Sequence, residues 1–167
     1  PVPTPVVNTL SPQIIVPSAI DVGAGINVAC AIVSGGGAKC WGQQWYGAVG
    51  NGVLGASVYA DVSDVIGLTD AAQIAHGGSR SAGDFVCVIT TGKQVRCWGA
   101  NRFGQLGDGT REDRAQPVLA NGVANVEQLA LATDFACARH TNGTVSCWGR
   151  NCGGTLGEGT RTETDCD

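Results

Sequence analysis

The chain has 167 residues, a net charge of −4, 14% charged and 43% hydrophobic residues, and 26 glycines. The hydrophobic share is too high for a disordered chain, and no run of 18 apolar residues exists that could span a membrane. Because 14 acidic residues stand against 10 lysines and arginines, the chain repels phosphate backbones, and nucleic-acid binding is not expected.

Three segments of the chain are similar to one another, and each begins with Cys-Trp-Gly. They are CWGQQWYGAVGNGV (Cys40–Val53), CWGANRFGQLGDGT (Cys97–Thr110) and CWGRNCGGTLGEGT (Cys147–Thr160). Equivalent cysteines are 57 residues apart, from 40 to 97, and then 50 apart, from 97 to 147, which indicates a repeat architecture. We predict a single repeat domain over 1–167 with units of approximately 1–58, 59–116 and 117–167. Loop insertions around Leu54–Tyr59 and Gly77–Gly83 account for the longer first spacing.

A pair of cysteines ten residues apart stands at each of these segments, and turn residues lie between the two. The pairs are Cys30 with Cys40, Cys87 with Cys97, and Cys137 with Cys147. The short runs around Asn142-Gly143 predict a β-hairpin, because both residues tolerate positive φ. An odd-length loop at this spacing places the two cysteines opposite each other, within disulfide range. We therefore expect each pair to join two neighbouring strands.

Two further cysteines, Cys152 and Cys166, occur fourteen residues apart in the last unit. They either close an extra loop or link two chains. The even total of eight cysteines, with no C-x-x-C spacing, favours four disulfides in an oxidising compartment over zinc or redox chemistry.

The remainder of each unit reads as short strands and turns. The tryptophans after the second cysteine of each pair (Trp41, Trp98 and Trp148) point to the sheet face opposite that cysteine. In the Gly-rich tail, Leu106 is expected to be buried between sheets, with Val49 and Leu156 as its counterparts. Further strands are predicted at Pro117–Ala120 and Glu127–Leu131, which gives about four strands per unit. The predicted fold class is all-β, with propeller-type blades.

The pattern CxxxxxGxxxCWGxNxxGQLGDGT, which Cys87–Thr110 and Cys137–Thr160 match closely but not at every position, with a divergent copy at Cys30–Val53, resembles the repeat of the regulator of chromosome condensation family in its Cys-containing bacterial or secreted form. This resemblance implies a β-propeller, which in known members has seven blades. One branch acts as a nucleotide-exchange factor for a small GTPase on chromatin, another resembles secreted inhibitors that cap β-lactamases, and others are adhesion or interaction modules.

Three units cannot close a seven-bladed ring. The chain is therefore either a piece of a longer propeller or is completed by another chain, because open strand edges tend to pair. A strand within Thr4–Leu10 or Ser11–Val16 is expected to begin the array.

Trp45, Tyr46, Arg102 and Phe103 form the candidate interaction surface. Trp45 and Arg102 are equivalent positions with different side chains on a common frame, and variable loop tips on a rigid scaffold are where binding surfaces occur. Tyr46 and Phe103, which follow them, are expected to share a packing role.

Other motifs have simpler structural explanations. The acidic residues within Gly107–Arg114 lack the alternating spacing of a calcium loop, so turn geometry is the favoured interpretation and no metal is expected. Asn142-Gly143-Thr144 is a possible N-glycosylation site as well as a hairpin turn. His76 and His140 have no nucleophile or orienting partner nearby in a known pattern, so neither a catalytic residue nor a cofactor is predicted.

These observations predict a non-enzymatic protein-interaction or self-assembly module that is secreted, extracellular or periplasmic. Its expected partner is another protein or itself, as a homo-oligomer or a filament formed through open strand edges. Two alternatives remain open: an inhibitor-like binder of an extracellular enzyme, and a carbohydrate-binding propeller.

Overall fold

A computed structural model describes residues 14–55, 58–160, 162 and 166. Within these residues eleven strands form three antiparallel sheets, and the only helical element is the 3₁₀ turn Trp45–Gly47. The strands are β1 (Ala19–Ala24), β2 (Val28–Val33), β3 (Ala38–Gln43), β4 (Tyr59–Asp64), β5 (Ala71–Ser79), β6 (Gly83–Thr90), β7 (Val95–Gly99), β8 (Arg114–Leu119), β9 (Val126–Leu131), β10 (Phe135–His140) and β11 (Val145–Gly149). The predicted all-β class with propeller-type blades is confirmed.

Each sheet is a simple up-and-down meander. The first sheet has the order β1-β2-β3-β4, the middle sheet β5-β6-β7-β8, and the third sheet β9-β10-β11. Strand β5 lies against both β1 and β9, so the first strands of the three sheets lie side by side. No helix in the described part of the chain is long and apolar enough to cross a membrane.

The two faces of the middle sheet pack against different neighbours. All eight residues of β6 are buried, which requires cover on both sides of the strand. Val86 and Val88 pack with Ile32 of the first sheet, whereas Phe85 and Ile89 face the third sheet. The period-2 alternation of a strand thus supplies two separate hydrophobic cores from one continuous apolar run.

The outer strands connect the predicted units. Strand β8 hydrogen-bonds to β7, so it completes the middle sheet although the predicted boundary at residue 116 falls inside it. Strand β4 likewise completes the first sheet just after residue 58. The boundaries of the repeat units stay a prediction from the spacing of the repeats in the sequence. Thr4–Leu10 lies outside the described residues, as do residues 11–13, and residues 14–16 form no strand.

The insertion expected in a loop at 77–83 is instead built into strands. Strands β5 and β6 continue to pair through Gly77 with Phe85 and Ser79 with Gly83, which makes this hairpin longer than those of the other sheets. The loop expectation was wrong because backbone pairing, which small residues permit here, continues past the end of the hydrophobic pattern.

The hairpin turns also differ from the simplest expectation. His140 N–H bonds to the Thr144 carbonyl and Gly143 N–H to the His140 carbonyl, so the loop contains three residues rather than the pair Asn-Gly. Only its third residue has a positive φ, 84° at Gly143. The equivalent residue of the β6–β7 hairpin is Lys93, with φ 58°. An odd loop length keeps the cysteines in register.

Disulfides join the second and third strands of all three sheets. Cys30–Cys40, Cys87–Cys97 and Cys137–Cys147 are directly opposite residues, with Cα–Cα distances of 4.0, 4.1 and 4.1 Å. The glycine after each Cys-Trp permits a close backbone approach. At Gly99, where φ is 104°, a Cβ would lie 2.5 Å from the Asp84 carbonyl oxygen.

Candidate interaction surface

A corner segment follows each disulfide-linked hairpin and runs between two sheets. In the middle unit Asn101 organises this corner from a fully buried position. Its Oδ1 accepts the Leu106 N–H at 3.0 Å, and its Nδ2 donates to the Glu112 carbonyl at 3.0 Å. Asn151 repeats the bond to Leu156 N–H at 3.2 Å in the third unit. This role of Asn101 and Asn151 was not predicted from the sequence, although the repeated Trp-Gly-x-Asn was a usable signal.

Tryptophans connect the first and second corners to the sheet that follows each of them. The indole Nε1 of Trp98 donates to the Ala48 carbonyl at 3.0 Å, and that of Trp148 donates to the Gln105 carbonyl at 2.9 Å. Leu106 is fully buried beside this contact, as expected. The corner is therefore the element that holds neighbouring sheets together.

The exposed aromatic residues of the candidate surface lie on the first corner. Trp45 and Tyr46 belong to the 3₁₀ turn and expose 39% and 37% of their surface. Tyr46 has a positive φ of 59°, which turns its ring towards the long β5–β6 hairpin. A side chain at Gly83 would collide with that ring, so the extended hairpin both reaches Tyr46 and makes room for it.

A cleft of about 700 Å³ opens beside these two aromatic residues. Its lining residues are Trp45, Tyr46, Leu54, Gly55, Glu112, Asp113 and Arg114. A second cleft of about 380 Å³ shares Tyr46 and Asp113 with it and adds Arg102. Residues from the first corner and from the segment before β8 thus form one surface, which has an aromatic side and a side with both carboxylates and arginines. Glu112 and Asp113 were not predicted from the sequence to belong to this surface.

Phe103 occupies a different place from the other three predicted residues. It is only 7% exposed, and its ring lies under two cations: the Arg150 guanidinium at 4.6 Å and the Arg102 guanidinium at 5.4 Å from its centroid. Arg150 also donates to a carboxylate oxygen of Asp134 at 3.1 Å. Phe103 therefore supports the surface from below, whereas Trp45, Tyr46 and Arg102 form part of it.

The pKa values of two carboxylates near the cleft are shifted in opposite directions. Burial raises the pKa of Asp113, and the Asn101 N–H, which donates to its Oδ1 at 2.8 Å, only partly opposes this. Burial also disfavours the charge on Asp108, but hydrogen bonds from Thr110, Arg114 and Asn101 outweigh it and lower the pKa of that carboxyl. Asp108 thus holds its own turn together, in agreement with turn geometry.

The remaining predicted residues lie away from the cleft. Asn142 is exposed, and its Oδ1 accepts the Thr144 N–H and hydroxyl at 3.0 and 2.7 Å; glycosylation there stays a prediction. The ring nitrogens of His140 lie 2.7 Å from the Ala124 carbonyl and 2.8 Å from the Ser146 hydroxyl. Cys152 is joined to Cys166 within the chain, with a Cα–Cα distance of 4.9 Å.

His76 lies on β5 against the first sheet. Burial lowers its pKa to about 4, and neither ring nitrogen has a hydrogen-bond partner among the described residues. A Cβ on Gly23 would collide with the imidazole ring, so the two strands approach closely here.

Neighbouring sheets of three and four strands, disulfide-linked hairpins and tryptophan-linked corners are the architecture of β-propeller blades. Residues 94–139 match the family model of the Regulator of chromosome condensation (RCC1) repeat. This stretch of the chain is therefore similar to a repeat of this family, which confirms the resemblance seen in the sequence. A comparison with curated proteins gave no match.

Solved structures share the fold. Human WBSCR16 is 24% identical, with a TM-score of 0.68, and the match covers 79% of this chain and 34% of that one. Prp20p from Saccharomyces cerevisiae is 15% identical, with a TM-score of 0.70 and coverages of 86% and 36%. Yeast RCC1 (Prp20) bound to Kap60 is 16% identical, with a TM-score of 0.67 and coverages of 79% and 32%. The chain thus spans about a third of the length of these relatives.

Proposed function

We propose that this chain is a secreted, non-enzymatic module that binds a partner protein at the cleft beside Trp45 and Tyr46. The observation that carries the proposal is this pair of exposed aromatic residues, held at the rim of a 700 Å³ cleft by a turn with positive φ. Aromatic residues on a rigid frame are frequent anchors of protein interfaces. The four disulfides support an oxidising, extracellular compartment.

The solved relatives support a protein as the partner. Yeast RCC1 (Prp20) has been solved bound to Kap60, and Prp20p from Saccharomyces cerevisiae has binding properties to Gsp1p and histones. The corner cleft of this chain adds its own chemistry. Asp113 makes no ion pair within the described chain, and Trp45 and Tyr46 stand on the other side of the same cleft. A cationic side chain of the partner would neutralise the carboxylate and contact an aromatic face.

The test compares immobilised wild-type protein with Trp45→Ala and Asp113→Asn, using secreted proteins of the source cells. The matched control is Val145→Ala, because Val145 is 63% exposed on the third sheet, away from the cleft. We expect the wild type and the control to retain the same protein, and both cleft variants to retain at least about ten-fold less of it. Equal retention by Trp45→Ala, or no protein retained by the wild type, would contradict the proposal.

The inhibitor-like and carbohydrate-binding alternatives would use the same cleft. Two related measurements distinguish them from the proposed protein-binding function. Inhibition of an extracellular enzyme by the wild type, but not by Trp45→Ala, would narrow the partner to that enzyme. Quenching of Trp45 fluorescence by a sugar, with no protein retained, would replace the protein-binding function with carbohydrate binding, since a tryptophan face beside carboxylates can stack on a sugar ring.

Self-assembly through strand edges is the second candidate function. It is favoured by exposed apolar side chains on the edge strands β4 and β8, where Tyr59 is 82% and Leu119 is 44% exposed. It does not involve the cleft.

A further inference from the structure

Two oppositely charged side chains line the clefts beside Tyr46. Asp113 lines both clefts, and Arg102 lines the smaller one. Neither forms an ion pair with the other or with any residue in the described part of the chain. Two such charges of opposite sign in one cleft of about 380 Å³ are complementary to a ligand that carries both charges.

The corner that begins at Asn101 holds these two charges apart. The Asn101 N–H donates to Asp113 Oδ1 at 2.8 Å, and the Arg102 guanidinium lies 5.4 Å from the centroid of the Phe103 ring. Three consecutive residues therefore position both charges, the carboxylate through a backbone donor and the guanidinium through an aromatic face. Charges that are positioned before binding lose little side-chain freedom when a partner pairs with them.

The other charged side chains of the larger cleft bind one another. Arg114 Nε donates to Asp108 Oδ2 at 2.9 Å, its Nη1 donates to Glu112 Oε2 at 3.3 Å, and its Nη2 donates to the Thr110 hydroxyl at 3.1 Å. Burial raises the pKa of Asp113, in agreement with a carboxylate that has no cation beside it. A cation of the partner can therefore pair with Asp113 without displacing Arg114.

The surroundings of each charge suit a different side chain of the partner. Trp45 and Leu54 line the larger cleft with Asp113, and Leu54 is 56% exposed. They can cover the methylene groups of a lysine or arginine whose charged end reaches the carboxylate. In the smaller cleft Arg111 adds a second guanidinium to that of Arg102, which favours a carboxylate of the partner there.

We propose that the partner occupies both clefts with one extended segment, which carries a lysine or arginine close to an aspartate or glutamate. The cation pairs with Asp113, and the carboxylate pairs with Arg102. Tyr46 lines both clefts, so the segment crosses its ring. This inference rests on the proposed function and adds the two charges by which the cleft recognises its partner.

The probes are four synthetic peptides with acetylated and amidated ends: Lys-Ala-Glu, Glu-Ala-Lys, Lys-Ala-Lys and Glu-Ala-Glu. Side chains two residues apart lie on the same side of an extended peptide, so each probe presents two charges together. Binding to the full chain is measured by the nitrogen-15 NMR shift of the Trp45 indole, identified as the signal that Trp45→Phe lacks. The tighter of the two mixed-charge peptides should bind at least about five-fold more tightly than either like-charged peptide.

Reversing one charge of the protein tests the contact with the carboxylate. Arg102 is exposed, and Trp45 and Cys152 are its equivalents in the repeat, so this position tolerates different side chains. In Arg102→Glu, Lys-Ala-Lys should become the tightest probe, because each of its ammonium groups then has a carboxylate to pair with. Arg80→Glu is the matched control, since Arg80 is exposed in the turn between β5 and β6 and lines neither cleft. It changes the net charge equally and should keep the wild-type preference for mixed charge.

Three outcomes would overturn the proposal. If Lys-Ala-Lys binds the wild type as tightly as the mixed-charge peptides, a cation at Asp113 is sufficient and no carboxylate is recognised. If Arg102→Glu and Arg80→Glu change the peptide preference equally, net charge rather than the cleft causes it. The third is that no peptide shifts the Trp45 signal. The retention experiment with Trp45→Ala decides separately whether the cleft binds a protein.

Discussion

The three tryptophans of the Cys-Trp-Gly segments allow the contribution of the indole N–H hydrogen bond to stability to be measured in three environments. We consider the change Trp→Phe at each position, which removes the indole N–H and part of the ring but keeps an aromatic side chain. Trp98 is fully buried and bonded to the Ala48 carbonyl, Trp148 is partly exposed and bonded to the Gln105 carbonyl, and Trp41 has no bonded acceptor in the described chain.

The expected cost follows from burial. In Trp98→Phe the buried Ala48 carbonyl loses its donor, which costs about 1–3 kcal/mol, and the lost ring leaves a cavity that adds about 1 kcal/mol. The total destabilisation is about 2–4 kcal/mol. In Trp148→Phe the freed carbonyl belongs to Gln105, which is fully buried, but the indole is itself partly exposed, so the lost ring leaves little cavity and about 1–3 kcal/mol is expected. Trp41→Phe should change the free energy of unfolding of the monomer by no more than about 0.5 kcal/mol.

The assay is urea unfolding of non-reduced protein, followed by far-ultraviolet circular dichroism because the substitutions alter fluorescence. Measurements are made at a concentration where the wild type is monomeric. The urea midpoint should fall least for Trp41→Phe, more for Trp148→Phe and most for Trp98→Phe, and the m-value should stay unchanged. Equal costs at all three positions, or a cost below 0.5 kcal/mol at Trp98, would refute the argument that the buried indole bond holds the sheets together.

Three other predictions concern single sites. Burial lowers the pKa of His76 to about 4 from an ordinary value of 6.5, so the unfolded chain binds the proton first as pH falls. The wild type should therefore lose up to about 3 kcal/mol of stability between pH 6.5 and 4. In unfolding titrations at different pH values, His76→Leu should lack this dependence of stability on pH. Lys93→Gly should stabilise the protein by about 0.5–1 kcal/mol, because Lys93 has a φ of 58° where the equivalent Gly143 is unstrained; a loss of thermal stability would contradict this. Replacing Cys87 and Cys97 together by alanine should cost about 2.5–3 kcal/mol in chemical unfolding, the value expected for a loop of this length, and an unchanged midpoint would show that the pair contributes nothing.

Much of the architecture was predictable because its causes are local. Period-2 alternation, turn residues and the ten-residue cysteine spacing together define a hairpin, and three copies of it define a repeat. The burial of Leu106 between sheets and the close approach at Gly99 followed from the same pattern. A hairpin whose loop length fixes its register needs little information from the rest of the chain.

Other features depended on residues far apart in sequence. Tyr46 and Asp113 meet at one cleft only because the first corner packs against the strand that precedes the next unit. Phe103 matches Tyr46 in the repeat but lies under Arg150, and the 77–83 insertion became strand rather than loop. The sequence by itself determined the repeating hairpin, whereas the tertiary structure decided which copies of it are exposed, because exposure depends on the neighbour that each sheet packs against.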